Sequence, residues 1–460
     1  MGRAYAAGRG RSEGIVRGGG VPVGFPQRIE SAFCLLLGSR GPRDPARPSV
    51  RGLRARGPGA SEGGPPVGEG ERDERRQRTG THVLIAADKF KGTLTAAEVA
   101  AHVRTGLLRA EPSLRVEALP VADGGDGTVD AALAAGYTCR EVRVTGPLGD
   151  GVTARYALRE GTAVLEMAEA SGLRLLPPGH FAPLTATTYG TGELVRAALD
   201  AGATRLVLGV GGSATTDAGT GMLTALGVRF TDAQGAALPP GGGALARLAA
   251  VDLTGLDARL SGVDIVLASD VDNPLTGPRG AAHVYGPQKG ADPGQVELLD
   301  AALGHCAEIL GRALGPAAGA LEHTPGAGAA GGVGYGALAG LGARFRPGIE
   351  VLLDVLGFDA ALARADLVIT GEGSLDAQTL HGKAPAGVAA AARAAGREVV
   401  AVCGRLALSR DQLVAAGISR AYALTGIEPD LARCLAEPGP LLERLGERVA
   451  YDFVRPPRSA

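Results

Sequence analysis

The chain has 460 residues, 45% of them hydrophobic, which is enough for roughly two or three packed domains without disulfide or metal staples. Its formal net charge of −1 excludes the basic surplus typical of proteins that bind nucleic acid or anionic membranes. Apolar runs are far shorter than the roughly 20 residues of a membrane-spanning helix. Five scattered cysteines without a CxxC pair argue against a disulfide framework and a zinc site. We therefore expect reduced thiols, a cytoplasmic location and a small-molecule partner.

Residues 1–80 differ from the rest of the chain in composition. They contain 15 arginines, no lysine and eight acids, with many Gly and Pro residues and no sustained hydrophobic period. Such a segment cannot bury enough apolar surface to offset the entropy of ordering it. The sequence predicts a disordered leader, which we interpret as translated from upstream of the natural start, with an Arg-rich transit peptide as the alternative.

From Thr81 onward, short β-branched apolar runs alternate with Ala-rich helical stretches, the pattern of an α/β fold with a largely parallel sheet. The first unit is a buried strand over 82–87, a polar loop, and a helix that begins with a capping box of Thr95 and Glu98 and ends near Ala110. Further strands are predicted at 115–119, 162–167, 205–210, 263–268, 366–370 and 399–402.

Residues 140–159 read as two β runs around the turn Gly146-Pro147-Leu148-Gly149. This pair interrupts the alternation of strand and helix. It indicates a second, differently built domain in the middle of the chain.

Polar, glycine-bearing loops follow five of the predicted strands, and ligands bind beyond the carboxyl ends of strands in open α/β sheets. Glycines let backbone N–H groups approach phosphate oxygens, and carboxylates hold Mg²⁺ or take the proton of an attacking hydroxyl. Together the loops predict phosphoryl transfer, which asks mainly for charge positioning. The loops are 88–92, 122–128, 209–217, 269–274 and 371–376.

Lysine is scarce, because only four of the 47 basic residues are lysines. They are Lys89, Lys91, Lys289 and Lys383. A coding sequence rich in Gly, Ala and Arg favours Arg wherever a generic positive charge suffices. Lysine is then expected to remain where a compact ammonium is wanted rather than a planar fork. Three of the four lie in glycine-containing polar loops, which strengthens the prediction that those loops bind ligand.

Two other nucleotide motifs were compared with the sequence. The P-loop pattern is absent, because Ala384 follows Gly382-Lys383 and Ala377 stands where its first glycine belongs. The pattern Gly209-x-Gly211-x-x-Ala214 follows a strand and has Asp232 about 20 residues further on, the context of a dinucleotide fingerprint, so a Rossmann oxidoreductase stays an alternative. A second match from Gly326 has no strand before it and is interpreted as a flexible loop or a phosphate cradle.

From Thr81 to about Leu424 the sequence resembles the bacterial glycerate kinases. All four lysines lie inside the matching motifs. These are IAADKFKGTLTA (85–96), ADGGDGT (122–128), GPLG (146–149), EMAEASGL (166–173), ATTYGTGEL (186–194), GVGGSATTDAGTGML (209–223), DVDNPLTG (270–277), GPQKGA (286–291), PGAGAAGG (325–332) and GEGSLDAQTLHGK (371–383).

The resemblance implies a kinase that uses ATP and Mg²⁺ to phosphorylate the 2-hydroxyl of (R)-glycerate. Alternatives are a 3-phosphoglycerate-forming or related hydroxy-acid kinase and a catalytically inactive nucleotide-binding regulator. It also implies a flavodoxin-like parallel-sheet domain built from both ends of the chain, 81–136 and 366–455, with a second α/β domain, 137–365, inserted between them. Glycerate and ATP are the expected partners, with neither nucleic acid nor membrane, and we allow for a homo-oligomer.

Residue chemistry and motif position together assign roles, with Asp123 and Asp270 as the expected Mg²⁺ ligands. The general base stays open among Asp270, Glu372 and Asp376. The expected catalytic residues are Asp88, Lys91, Asp123, Asp126, Asp270, Glu372, Asp376 and Lys383. The expected nucleotide-binding residues are Gly211, Gly212, Ser213, Thr215, Asp217, Gly326 and Gly328.

Some residues receive structural interpretations. Asp217 has, besides nucleotide binding, a second interpretation as the cap of the following helix. Glu166 is interpreted as a buried structural acid, and His283 and His381 as core or solvent histidines without a catalytic role. We expect Asp88, Asp123, Asp217 and Glu372 to converge on one cleft between two lobes.

Overall fold

The computed structural model describes residues 81–380 and 382–454. The predicted leader 1–80 with Cys34, residue His381 and residues 455–460 lie outside the described residues. Within them, strands and helices alternate along most of the chain, as the sequence predicts for an α/β fold. None of the described helices combines the length and the apolar character that a membrane span requires.

The strands fall close to their predicted positions. The two runs predicted around the GPLG turn are strands, and they form an antiparallel pair. The described strands are β1 His82–Ala87, β2 Arg115–Ala118, β3 Thr138–Thr145, β4 Gly151–Arg159, β5 Thr162–Glu166, β6 Arg205–Gly209, β7 Arg229–Thr231, β8 Ala250–Asp252, β9 Asp264–Ala268, β10 Arg344–Arg346, β11 Leu367–Leu375, β12 Glu398–Leu406 and β13 Arg420–Ala423.

The first helix begins with the predicted capping box, in which Thr95 and Glu98 each bond the other's backbone. The described α-helices are α1 Ala96–Ala110, α2 Thr128–Ala134, α3 Ala168–Ser171, α4 Tyr189–Asp200, α5 Thr220–Ala225, α6 Ala281–Tyr285, α7 Pro293–Leu314, α8 Pro316–Ala320, α9 Ala329–Tyr335, α10 Gly348–Leu356, α11 Phe358–Arg364, α12 Ala384–Ala394, α13 Arg410–Ala415, α14 Leu431–Ala436 and α15 Pro438–Val449.

One sheet is built from strands near both ends of the described chain. Its five strands are all parallel and lie in the order β13-β12-β11-β1-β2. Numbered by their order in the chain, these strands lie in the order 2-1-3-4-5, which is a doubly wound order. Successive strands are added in one direction from β1 to β2 and in the opposite direction from β1 to β11 onward. Such a reversal leaves a crevice at the carboxyl ends of the two strands, which is where ligands bind in this class of sheet.

The other large sheet comes from the middle of the chain, in the order β10-β9-β6-β5-β4-β3. Strands β10, β9, β6 and β5 are parallel, whereas β4 and β3 are antiparallel. The described structure therefore has a parallel sheet and a mixed sheet. The proposed division into two domains, with boundaries at 136/137 and 365/366, stays a prediction.

Strand β1 is buried on both faces, as a central parallel strand should be. Leu84 and Ala86 belong to an apolar cluster with α10, α11 and α12, and Val83 and Ile85 belong to another with α1 and α15. The backbone N–H of Asp88 then donates to the Gly371 carbonyl at 2.8 Å, which continues the pairing with β11. The core thereby holds Asp88 at a defined place beside β11.

Candidate active site

A cleft of about 690 Å³ runs along the carboxyl ends of strands from both sheets. Residues that follow β1, β2, β6 and β9 line it, together with the last residues of β11. Because parallel strands point their carboxyl ends to one edge, loops far apart in sequence meet there. The predicted site residues in the lining are Asp88, Lys91, Asp123, Asp126, Gly211, Gly212, Ser213, Asp270, Glu372, Asp376 and Lys383.

Four carboxylates of the cleft repel one another. Burial raises the pKa of Asp88 to about 6, with Lys89 lowering it and Asp123 raising it. Burial and the charge of Asp123 raise the pKa of Asp270 to about 7. Burial also raises the pKa of Glu372, and Asp123 adds a smaller contribution in the same direction. Asp123 therefore lies within electrostatic range of the other three acids, and perturbed carboxylates in a cleft are typical of functional sites.

The acid pair Asp123 and Asp270 fits a divalent cation. One oxygen of Asp270 accepts from the Gly348 N–H at 2.7 Å, while its Oδ2 is buried and has no hydrogen-bond partner among the described residues. Among the described residues, Asp123 Oδ1 accepts one long bond of 3.2 Å, from the Gly125 N–H of its own loop. The described residues contain no cluster of three or more metal-ligating side chains. Mg²⁺ suits such a sparse site, because it keeps its waters and binds one or two carboxylates together with phosphate oxygens.

All four lysines of the sequence line this one cleft. Lys91 is exposed and makes no hydrogen bond or ion pair with the rest of the described chain. The Lys383 ammonium lies 3.8 Å from Glu372 Oε2, directly before α12. Lys89 donates to the Asp126 carbonyl at 2.8 Å and thereby joins the loops after β1 and β2. The scarcity of lysine in the sequence was thus a signal for the site.

Lys289 differs from the other three because its side chain is buried, with 2% of the residue exposed. Its ammonium donates to the Thr215 carbonyl at 2.6 Å. Burial lowers the pKa of Lys289 to about 7, although the nearby Asp217 charge opposes this. The sequence marked Lys289 but assigned it no role, and the structure shows that it anchors the loop after β6.

Four of the predicted nucleotide-binding residues, Thr215, Asp217, Gly326 and Gly328, do not line the cleft. Thr215 and Asp217 are fully buried, and Asp217 accepts hydrogen bonds from the N–H groups of Thr188, Gly219 and Gly221 and from the Thr188 hydroxyl. Its carboxylate organises the start of α5, which agrees with the capping interpretation and not with ligand binding. Three of the four acids expected to converge therefore do so, and Asp217 does not.

Gly326 and Gly328 are required for packing, which does not support the interpretation as a phosphate cradle. A Cβ at Gly326 would lie 2.3 Å from the Phe345 ring, and one at Gly328 would lie 2.2 Å from the Pro274 carbonyl oxygen. Side chains are excluded at both positions by neighbouring protein atoms. No ligand is needed to explain either glycine.

The glycines after β6 also serve internal packing. A Cβ at Gly211 would lie 2.4 Å from the Gly125 Cα, and one at Gly212 would lie 2.5 Å from Asp126 Oδ1. The following helix α5 begins only at Thr220, and Asp232 accepts from backbone N–H groups in its own turn after β7. The context of a dinucleotide fingerprint is therefore missing, and the Rossmann alternative is wrong.

Sequence reasoning missed one whole end of the cleft. This end is lined by Leu424, Leu431, Cys434 and Leu435, together with Arg405 near the end of strand β12. These residues belong to no motif, and all but Leu424 and Arg405 lie beyond the stretch that carries the resemblance. Strands β11 and β12 also extend further than predicted, because Glu372 pairs with Cys403 and Ser374 with Arg405 in the sheet.

Two residues interpreted as structural behave accordingly. Glu166 is buried, and its Oε2 accepts from the Gly127 N–H at 3.1 Å at the start of α2. Burial raises the pKa of Glu166 to about 7. His283 lies 3.8 Å from Asp300 and is not part of the cleft lining.

Comparison with known proteins identifies relatives over nearly the whole described chain. The model of the glycerate kinase family matches residues 83–454. A glycerate kinase of Bacillus subtilis (strain 168) is 44% identical over 372 residues, which are 80% of this chain and 96% of that protein. A glycerate 2-kinase of Escherichia coli (strain K12) is 44% identical over 327 residues, 70% of this chain and 85% of that protein.

A solved structure agrees with the sequence comparison. The crystal structure of a candidate glycerate kinase 2 from Salmonella typhimurium LT2 superposes with a TM-score of 0.70 at 43% identity. The match covers 81% of this chain and 97% of that one. By sequence and by fold, the chain belongs to the glycerate kinase family and is a kinase.

Proposed function

We propose that this kinase transfers the γ-phosphoryl group of ATP to the 2-hydroxyl of (R)-glycerate, giving 2-phosphoglycerate. The observation that carries the proposal is the meeting of all four lysines with the acids of both sheets in one cleft. The relative named glycerate 2-kinase supports the choice of hydroxyl.

Lys91 and Lys383 are proposed to bind the phosphates. Both are accessible cations in the cleft, and Lys91 has no competing partner among the described residues. Lys383 immediately precedes α12, so the positive end of that helix dipole adds to its charge. Fixed positive charges of this kind stabilise the transferring group as its charge redistributes.

Asp123 and Asp270 are proposed to hold Mg²⁺, which when bound neutralises phosphate charge. Their mutual repulsion and the unpartnered Oδ2 of Asp270 support this assignment. The Gly348 N–H holds the other oxygen of Asp270 in place.

Asp88 is proposed as the general base that takes the proton of the glycerate hydroxyl. Its pKa of about 6 leaves it ionised at neutral pH yet more basic than an ordinary aspartate. Asp270 is the weaker candidate, because one of its oxygens binds a backbone N–H and the other is buried. Glu372 is held by Thr379 and Lys383, which favours a positioning role over proton transfer.

The polar end of the cleft is proposed to receive glycerate. Asp126 and Ser213 lie there, beside the loop that Lys289 anchors. The hydroxyl and carboxylate side chains can bond the two hydroxyls of the substrate. Gly211 and Gly212 are proposed to contact the ligand only through their backbone. Their lack of a side chain is explained by packing against neighbouring protein atoms.

The test is turnover with a defined product. Purified full-length chain with ATP, Mg²⁺ and (R)-glycerate should form ADP, and phosphorus NMR should show 2-phosphoglycerate. Lys91→Ala should remove most of this activity, whereas exposed Arg410→Ala, remote from the cleft lining, should keep it. A 3-phosphoglycerate product would overturn the regiochemistry, and ATP binding without turnover on any hydroxy-acid would favour an inactive regulator.

A further inference from the structure

One end of the cleft exposes large apolar side chains, whereas its acids and lysines follow other strands. Leu431 and Leu435 of α14 are 56% and 57% exposed, and Leu424 lies beside them at the end of β13. Four residues apart on one helix, the two exposed leucines share a face. Large exposed apolar side chains that continue a polar cleft typically mark a ligand contact.

The order of strands arranges the cleft into successive regions. Asp88 follows β1, Glu372 lies on β11, and Arg405 lies on the next strand, β12. Leu424 follows β13, the edge strand beyond β12. Neighbouring strands lie about 4.8 Å apart, so the apolar end is roughly 14 Å from β1 along the sheet edge. A ligand spanning from the acids to the leucines must be long and must change from polar to apolar along its length.

Arg405 lies between these two regions. This residue is exposed and lies opposite Ser374 in the sheet. Its side chain makes no hydrogen bond or ion pair within the described part of the chain. An unpaired guanidinium at this point suits an anionic group. The region between acids and leucines can therefore hold part of a polyphosphate.

We propose that Leu431 and Leu435 bind the adenine base of ATP, with Arg405 on the phosphate chain between that base and the acids. This inference rests on the proposed function, because it takes ATP as the phosphoryl donor. A purine offers two flat apolar faces to leucine side chains. Glycerate, with a carboxylate and two hydroxyls, would gain nothing from these residues.

The glycine loop after β6 is the competing place for the nucleotide, and its packing disfavours it. The glycines at 209, 211 and 212 each face atoms of the loop after β2 where their side chains would be. The loop after β2 therefore covers this side of the glycine loop, and residues 215–217 of the glycine loop are buried. Leu431 and Leu435 have no such cover.

The first test is kinetic. Leu431→Asp and Leu435→Asp should each raise KM for ATP about 10-fold or more, the loss expected from one desolvated leucine contact, and leave KM for glycerate within about two-fold. Val414→Asp is the matched control, because Val414 is a 58% exposed apolar residue on α13 outside the cleft lining. It should change neither constant. Unchanged KM for ATP in both leucine variants would overturn the subsite and leave the proposed function standing.

The second test locates the base directly. Photolabelling of the full chain with 8-azido-ATP, followed by peptide mapping, should modify residues between 424 and 435. Labelling confined to 209–217 would overturn the proposal. Calorimetry with ATP separates the two hypotheses. If the wild-type chain binds ATP, Leu431→Asp weakens that binding about 10-fold and glycerate is not turned over, the subsite is supported and the proposed function is overturned.

Discussion

The loops after β2 and β6 look alike in sequence and differ in the structure. Each contains several glycines and an aspartate and precedes a helix. Asp123 in the first loop lies in the cleft among other carboxylates, whereas Asp217 in the second is fully buried and surrounded by hydrogen-bond donors. Donors around a carboxylate indicate a structural role, and unrelieved like charges indicate a functional one.

The largest effect is expected from Asp88→Asn in the cleft. The amide cannot accept the substrate proton, so kcat should fall by roughly 10²–10⁴-fold. Stability should not decrease, because the substitution removes a buried charge from an acidic cluster. The measurement is steady-state ADP formation together with urea unfolding. Asp150→Asn, in an exposed turn, is the control, and a kcat within ten-fold of wild type would contradict the assignment.

The opposite pattern is expected from Asp217→Asn. Asparagine keeps only one acceptor oxygen, so at least one of the N–H groups of Thr188, Gly219 and Gly221 loses its partner, and the free energy of unfolding should fall by about 2–3 kcal/mol. Urea denaturation measures it. Asp232→Asn is matched, because Asp232 also accepts two backbone N–H groups but is not buried. Lost ATP affinity with unchanged stability would restore a ligand role to Asp217.

A third prediction concerns the pH dependence of stability in Asp270→Asn. The folded-state pKa of Asp270, about 7, is raised above its ordinary value of 3.8, so folding favours its protonated form. Its contribution to stability is full below pH 4 and is lost as the pH rises through 7. Relative to wild type, the variant should therefore gain about 1–3 kcal/mol between pH 4 and pH 8 in EDTA.

Magnesium should remove this difference. If Asp270 helps to hold the ion, Mg²⁺ will stabilise the wild-type chain against urea at pH 8 and will stabilise the variant less. Equal stabilisation of both chains would exclude Asp270 as a ligand. A constant difference between variant and wild type across the pH range would contradict the raised pKa.

The smallest effect is expected from Gly212→Ala. Both Gly212 and Gly202 have positive φ, +71° and +83°, so alanine at either position should lower stability by roughly 1–2 kcal/mol. Only the Cβ at 212 would meet the Asp126 carboxylate, while the one at 202 meets open space. Gly212→Ala should therefore also raise KM for glycerate several-fold, and Gly202→Ala should not. Identical kinetics of the two variants would show that this packing does not position Asp126.

Local patterns predicted elements well where the cause is local. The helix after Thr95 begins with its capping box, and the two runs around the GPLG turn pair as a hairpin, because adjacent residues supply the deciding hydrogen bonds. Strands β11 and β12 were predicted too short. Their last residues are held by pairing with one another across the sheet, which no periodicity within either segment reveals.

The sequence alone determined the family, the alternation of strand and helix, and most of the acids and lysines of the cleft. It did so because loops at strand ends and a rare residue type carry a signal that is independent of distant contacts. Only the tertiary structure decided that Asp217 and Lys289 are buried, that Gly326 and Gly328 serve packing, and that Leu431 and Leu435 continue the cleft. Burial and neighbouring charge depend on which segments meet in space, and identical residue types acquire different roles according to whether donors, carboxylates or solvent surround them.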